Sequence, residues 1–205
     1  PTRRSSDLMS VVREDRDETV TDEALVRRYQ QGDTNAFSLL VHRHQQRVMR
    51  VCERLLLSFA DAEDACQDIL IKTADRLSSF QPSAKFTTWL YRIAVNHCLN
   101  VLRSRRRRRW LSPFSRESEA RLLAVLAAEE DPLQQTEKRE RRQEVRAALA
   151  SLPEEQRLAV VLHRYEGLTY DEIAQVLQIS VAAVESRLHR AKQNLLRSLQ
   201  PYMNE

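Results

Sequence analysis

Six of the seven residues from Arg103 to Arg109 are arginine. Guanidinium groups match phosphate oxygens through paired hydrogen bonds. Like charges at this density repel, so the run points to a polyanion that offsets them. The same stretch opens with Phe86, Trp89 and Tyr91, so aromatic rings stand at one end and charge at the other.

Other chemistries are poorly served. Cys52, Cys66 and Cys98 form no CxxC pair and read as reduced core residues. His42 and His44 flank Arg43, and His97 abuts Cys98. Neither pair has the i, i+4 spacing that turns two ligands on a helix toward one metal. No metal and no cofactor are expected. The chain holds only two glycines, which disfavours a phosphate-cradling loop. No nucleophile is paired with a base, so no catalytic residue is expected and an enzyme is not the reading.

The elements that must position these residues are helical. The 205 residues are 42% hydrophobic, enough for packed cores, and the scarcity of glycine argues against sheets and tight turns. The net charge of +4 is mild, so the placement of charge matters more than its sum. No apolar run approaches the roughly 20 residues that span a bilayer. No signal core follows a basic start. No membrane insertion and a cytosolic location are therefore expected. Met9 reads as a natural start, residues 1–8 as non-native and residues 1–20 as disordered.

From Thr21 onward, apolar residues recur near a 3.6 period. Thr21 or Asp22 caps a first helix. Gly32 and Asp33 break it, and Phe37, Leu40, Val41, His44, Val48, Val51, Cys52 and Leu55 stripe a second. A third opens at Asp61, Glu63 and Asp64 and buries Ala62, Ala65, Ile69, Thr73 and Leu77. The fourth runs from the aromatic residues into the arginines. Residues 110–137, interrupted by Pro113 and Pro132, read as a linker with one transient helix at "LLAVLAA". Helices resume to residue 200, with Pro153 in the first turn of one.

The last of these carries the most specific motif. Thr169 caps a short helix, and Glu172 completes a capping box. Ile173, Ala174 and Leu177 face inward, with Ala174 small enough for a close crossing. Gln178, Ile179 and Ser180 make a turn, Ser180 caps the next helix, and Val184 and Leu188 return to the core. This pattern is a helix-turn-helix whose second helix, about Val181 to Leu196, carries Arg187, Arg190, Lys192 and Arg197 against the single acid Glu185. Gln178 stands where glycine is common and is expected to take a positive φ.

"DAEDACQDILIKTADRLSSF" followed by "FTTWLYRIAVNHCLNVLRSRRRR" resembles conserved region 2 of extracytoplasmic-function (group 4) sigma factors of bacterial RNA polymerase, in the sigma-70 family. "LPEEQRLAVVLHRYEGLTYDEIAQVLQISVAAVESRLHRAKQNL" resembles their region 4. The resemblance covers nearly everything from Asp22 to Leu199 and implies an all-α fold of two helical domains joined by a flexible linker. Region 2 would occupy residues 21–109 and region 4 residues 138–200.

The resemblance also implies partners and sites. Asp61, Glu63, Asp64, Gln67, Asp68 and Leu70 would bind core RNA polymerase, at the clamp coiled coil of its largest subunit. Ala65 and Cys66 stand where larger aliphatics are common. The loop from Gln81 to Lys85, including Ser83, would hold a base flipped from the −10 element of promoter DNA. Phe86 and Trp89 lie at its edge, as base contacts or as core. Asn96 and Asn100 would offer hydrogen bonds, and the arginine run, including Arg103, Arg105 and Arg106, would meet phosphates. In region 4, Thr169, Ser180, Glu185, Ser186, Arg187, His189, Arg190 and Lys192 would meet the −35 element. Glu185, Ser186, His189 and Arg190 would face bases; Arg187 and Lys192 would face phosphates. Glu185 stands where many members carry a cation. A carboxylate can accept from cytosine N4 but cannot bind phosphate, so an altered base preference is expected there. An anti-sigma factor, acting in trans and sometimes near the inner membrane, is the implied control.

Two promoter elements two helical turns apart lie roughly 70 Å from each other. A linker of about 28 residues reaches about 90 Å when extended. The competing reading is a stand-alone helix-turn-helix regulator, which would bind duplex DNA tightly without polymerase.

Overall fold

The computed structural model describes residues 20–81, 85–111 and 136–203, and no strand occurs among them. The expected disordered start, Ser83 and the transient linker helix lie outside the described residues.

Four helices build the first unit: α1 (Asp22–Gln30), α2 (Thr34–Leu56), α3 (Phe59–Leu77) and α4 (Phe86–Leu111). The Thr21 hydroxyl accepts from the Ala24 amide, and Asp22 and Glu23 sit in the first turn where the helix dipole favours them. The Asp33 carboxylate caps α2. Leu57 ends α2 in the left-handed region at φ 56, a place where glycine is usual. Ser58 then caps α3, so that helix opens two residues before the expected Asp61.

Long-range side chains tie these helices together. Glu23 accepts from the Phe86 amide at 3.2 Å and so satisfies a free donor at the start of α4. The Gln30 amide donates to the carbonyls of Leu77 (3.1 Å) and Phe80 (2.9 Å) as the chain leaves α3. Asp22 holds His44 at 2.7 Å and Arg43 at 3.1 Å. Burial pushes the Asp22 carboxyl up, but these hydrogen bonds and charges outweigh it and leave the group below its usual range. Leu25, Leu40, Val48, Ile69, Leu77 and Leu90 fill the core between the four helices.

The second unit contains α5 (Thr136–Ser151), α6 (Glu154–Val160), α7 (Tyr170–Leu177) and α8 (Val181–Met203). Pro153 precedes α6, as the sequence suggests. One helix was expected from Glu154 through Tyr165, but its last five residues, Val161–Tyr165, widen into a π-helical turn. Leu149, Leu158, Leu162, Ile173, Val184 and Ala191 form the core. Val176 is buried on α7, whereas Leu177, expected inward, is only half-buried.

The two units are docked, with α7 against α4. Sequence reasoning gave two domains joined by a linker and no contact between them.

Candidate nucleic-acid interface

The basic helix presents a continuous polar stripe. Asn96, Asn100, Arg103 and Arg107 are exposed at spacings of four, three and four, which align them on one face of α4. Arg106 and Arg108 stand exposed beside them. Arg105 does not share this position: its guanidinium pairs with Asp61 and donates to the Leu56 carbonyl at 3.0 Å. It therefore closes the end of α2, and only part of the run faces outward.

At the other end of α4 the aromatic residues diverge. Phe86 was expected at the edge of a base-holding loop, but it is 1% exposed. Its ring meets His44 at 5.4 Å, Trp89 at 5.8 Å and Phe80 at 6.1 Å. Its place on the register of Leu90 and Ile93 turns it inward, so this residue belongs to the core and not to a base-stacking surface. Trp89 is half-buried and lies edge-on to Phe80 at 5.1 Å. Gln81 and Lys85 are exposed, and Lys85 meets Glu172 of α7 at 2.8 Å.

On α3, Glu63, Asp64, Gln67 and Asp68 are exposed, and Leu70 is half-buried beside them. Asp68 approaches His97 at 3.6 Å, and the other ring nitrogen of His97 takes a 2.6 Å contact from the Lys72 ammonium. Burial first, and then Lys72, hold His97 below the usual imidazole range. An open groove of about 500 Å³ lies between α2 and α3, where Met49, Phe59, Cys66 and Leu70 supply apolar surface and Glu63 and Gln67 stand beside them. Sequence reasoning missed this groove. Phe59 shares the register of Ala62, Cys66 and Ile69, which predicts burial, yet it is 52% exposed. Only the packing of α2 against α3 leaves it uncovered.

The helix-turn-helix forms as its capping residues dictate. The Thr169 hydroxyl accepts from the Glu172 amide, and the Glu172 carboxylate accepts from the Thr169 amide at 2.9 Å. Lys85, then the Thr169 amide, hold the Glu172 carboxyl below its usual value. Gln178 takes φ 55 at the end of α7, as expected. Ser180 accepts from the Ala183 amide, so its hydroxyl is engaged in starting α8.

Glu185, Ser186, His189 and Arg190 are exposed together on α8, and Lys192 is exposed beside them. Gln193 meets His189 at 2.9 Å. Arg187 departs from this set: it is half-buried and pairs with Glu155 of α6 at 2.9 Å. The outward face thus offers a carboxylate, a hydroxyl, an imidazole and a guanidinium along one helix, a mixture able to read donors and acceptors in a major groove.

Comparison with known proteins places these two surfaces. Residues 40–108 match Sigma-70 region 2, and residues 142–195 match Sigma-70, region 4. The chain is 36% identical to RNA polymerase sigma-H factor of Pseudomonas aeruginosa, over 90% of this chain and 96% of that protein. It is 38% identical to ECF RNA polymerase sigma-E factor of Escherichia coli, over 90% of this chain and 97% of that protein. Among solved structures it resembles CnrH in complex with the cytosolic domain of CnrY, at 25% identity and a TM-score of 0.66, covering 88% of this chain and 97% of that one. Its fold also matches the sigma factor RpoE in complex with the anti-sigma factor NepR from Bartonella quintana, at 23% identity and a TM-score of 0.66, covering 80% of this chain and 96% of that one. Two regions matched in order, within full-length relatives matched along nearly all of their sequences, leave one assignment: this chain belongs to the extracytoplasmic-function sigma factors of the sigma-70 family.

Proposed function

We propose that the chain directs core RNA polymerase to specific promoters and helps open the −10 element, in an envelope or stress response controlled by an anti-sigma factor. The acidic face of α3 and its groove would seat the polymerase clamp. Gln81, Lys85 and the exposed edge of Trp89 would hold an unstacked base, and the Asn96–Arg107 stripe would follow the phosphates of the opened strand. Glu185, Ser186, His189 and Arg190 would read the −35 element. The chain would carry no catalytic group of its own and would work in the bacterial cytoplasm; among the described residues no helix is long and apolar enough to cross a membrane. A partner in trans, of the kind bound to RpoE in the solved complex, would hold it inactive.

The observation that carries this reading is the pairing of two outward polar faces, one on α4 and one on α8, on separate helical units. The test is run-off transcription with purified core polymerase on a promoter library. Transcripts that require the chain are expected. No stimulation on any template, alongside tight duplex binding by the chain alone, would identify a stand-alone regulator instead. On promoters that respond, Glu185→Ala is expected to change the base preferred at one −35 position.

A further inference from the structure

We infer that region 4 closes onto region 2 through a latch centred on Glu166, and that the closed chain cannot engage both promoter elements until this latch releases. The inference rests on the promoter reading above and adds a conformational control to it.

The latch begins in the π-turn. The Glu166 amide reaches back five residues to the Val161 carbonyl at 3.3 Å, and the Leu168 amide reaches back six residues to the Leu162 carbonyl at 3.1 Å. The widened turn carries Tyr165 and Glu166 off the track of α6. The Glu166 side chain is only 4% exposed. The Tyr91 hydroxyl donates to it at 2.5 Å, and Arg54 lies 3.8 Å away. Burial, and then this carboxylate, hold the Tyr91 phenol protonated well above its usual range, so it remains a donor. The Arg54 guanidinium also stacks 4.1 Å over the Tyr165 ring.

Both partners of the Glu166 carboxylate belong to region 2. A carboxylate taken from water needs charged or hydrogen-bonding partners, and here the docked state provides them. Three contacts flank the centre. Arg92 donates to the Gln175 carbonyl at 3.0 Å, Lys85 meets Glu172 at 2.8 Å, and Arg146 donates to the Leu57 carbonyl.

This arrangement conflicts with promoter geometry. Helices in contact lie about 8–10 Å apart. The helices α4 and α8 both pack on α7, so they are separated by about two such steps, or roughly 20 Å. Promoter elements two helical turns apart lie roughly 70 Å from each other. The closed chain can therefore engage one element at most, and Lys85 is already occupied by region 4.

The test uses the full chain with Tyr91→Phe and Arg54→Ala, neither of which lies among the proposed polymerase or DNA contacts. Solution scattering measures the particle, and titration measures its affinity for a duplex carrying a −35 sequence recovered from the promoter library. Circular dichroism confirms that each variant is folded. The wild type is expected to scatter as a compact particle. Tyr91→Phe, which deletes one charge-assisted hydrogen bond, is expected to shift the equilibrium toward an extended particle by about tenfold. Duplex affinity should rise by up to the same factor. Arg54→Ala should act in the same direction. A wild type that already scatters as two separated units overturns the latch, and so do two folded variants with wild-type size and affinity. If the wild type neither binds the duplex nor supports run-off transcription, the promoter reading fails, while scattering still decides the latch.

Discussion

In region 2, helix ends are satisfied by side chains from distant parts of the chain; in region 4, they are satisfied by residues three places along. Glu23 caps α4 from 63 residues away, Gln30 reaches Phe80 across 50, and Arg105 reaches Leu56 across 49. In region 4, Thr169 and Glu172 cap each other, and Ser180 caps through Ala183. The first unit can close its helices only when the whole bundle is assembled. The second can begin folding at a single turn. A local lesion should therefore spread through region 2 and remain confined in region 4.

The most severe test of this contrast is Phe86→Ala. Removing a fully buried ring is expected to cost about 3–5 kcal/mol, and calorimetry should show the region 2 transition falling while region 4 holds. A loss under about 1 kcal/mol would return Phe86 to the DNA-facing surface. Gln30→Ala should come next, because it leaves two carbonyls at the end of α3 without their donor. A cost of about 1–3 kcal/mol is expected, with faster amide exchange in both α1 and α3. Thr169→Ala removes one half of a capping box and should cost about 1 kcal/mol. Its exchange changes should stop within α7; changes reaching α5 would contradict local closure.

The smallest effect should come from pH. The Glu172 carboxyl is lowered in the folded chain from an ordinary value of 4.5. Its contribution to the Lys85 pair and to the capping box is therefore complete above that value and is lost as pH falls through the lowered one. Stability measured down a pH series should decline in this acidic window for the wild type and less for Glu172→Gln. Because Lys85 is fully exposed, salt should weaken the pair as well.

The same contrast explains what could be read from the sequence. The helix-turn-helix was legible down to the positive φ of Gln178, because caps, turn and small residue lie within a dozen positions. The helices of region 2 were legible from their apolar period, with errors of two residues where Ser58 starts α3 early. Phe86 was read as a candidate base contact although its register with Leu90 already favoured the core. Asp61 and Arg105 were assigned to different partners, and no spacing rule joins them across α3 and α4. Glu166 lies in a short polar turn, where nothing nearby announces Tyr91 as its partner. Groups that meet across 75 residues leave no periodic trace in the chain.

Glu172 belongs to two partnerships at once, the capping box with Thr169 and the ion pair with Lys85. When Lys85 departs, the carboxylate keeps the Thr169 amide, so parting leaves no charge stranded and no helix end unsatisfied. A joint of this kind resists fatigue: it can be opened and remade through many rounds of initiation without either half needing to refold.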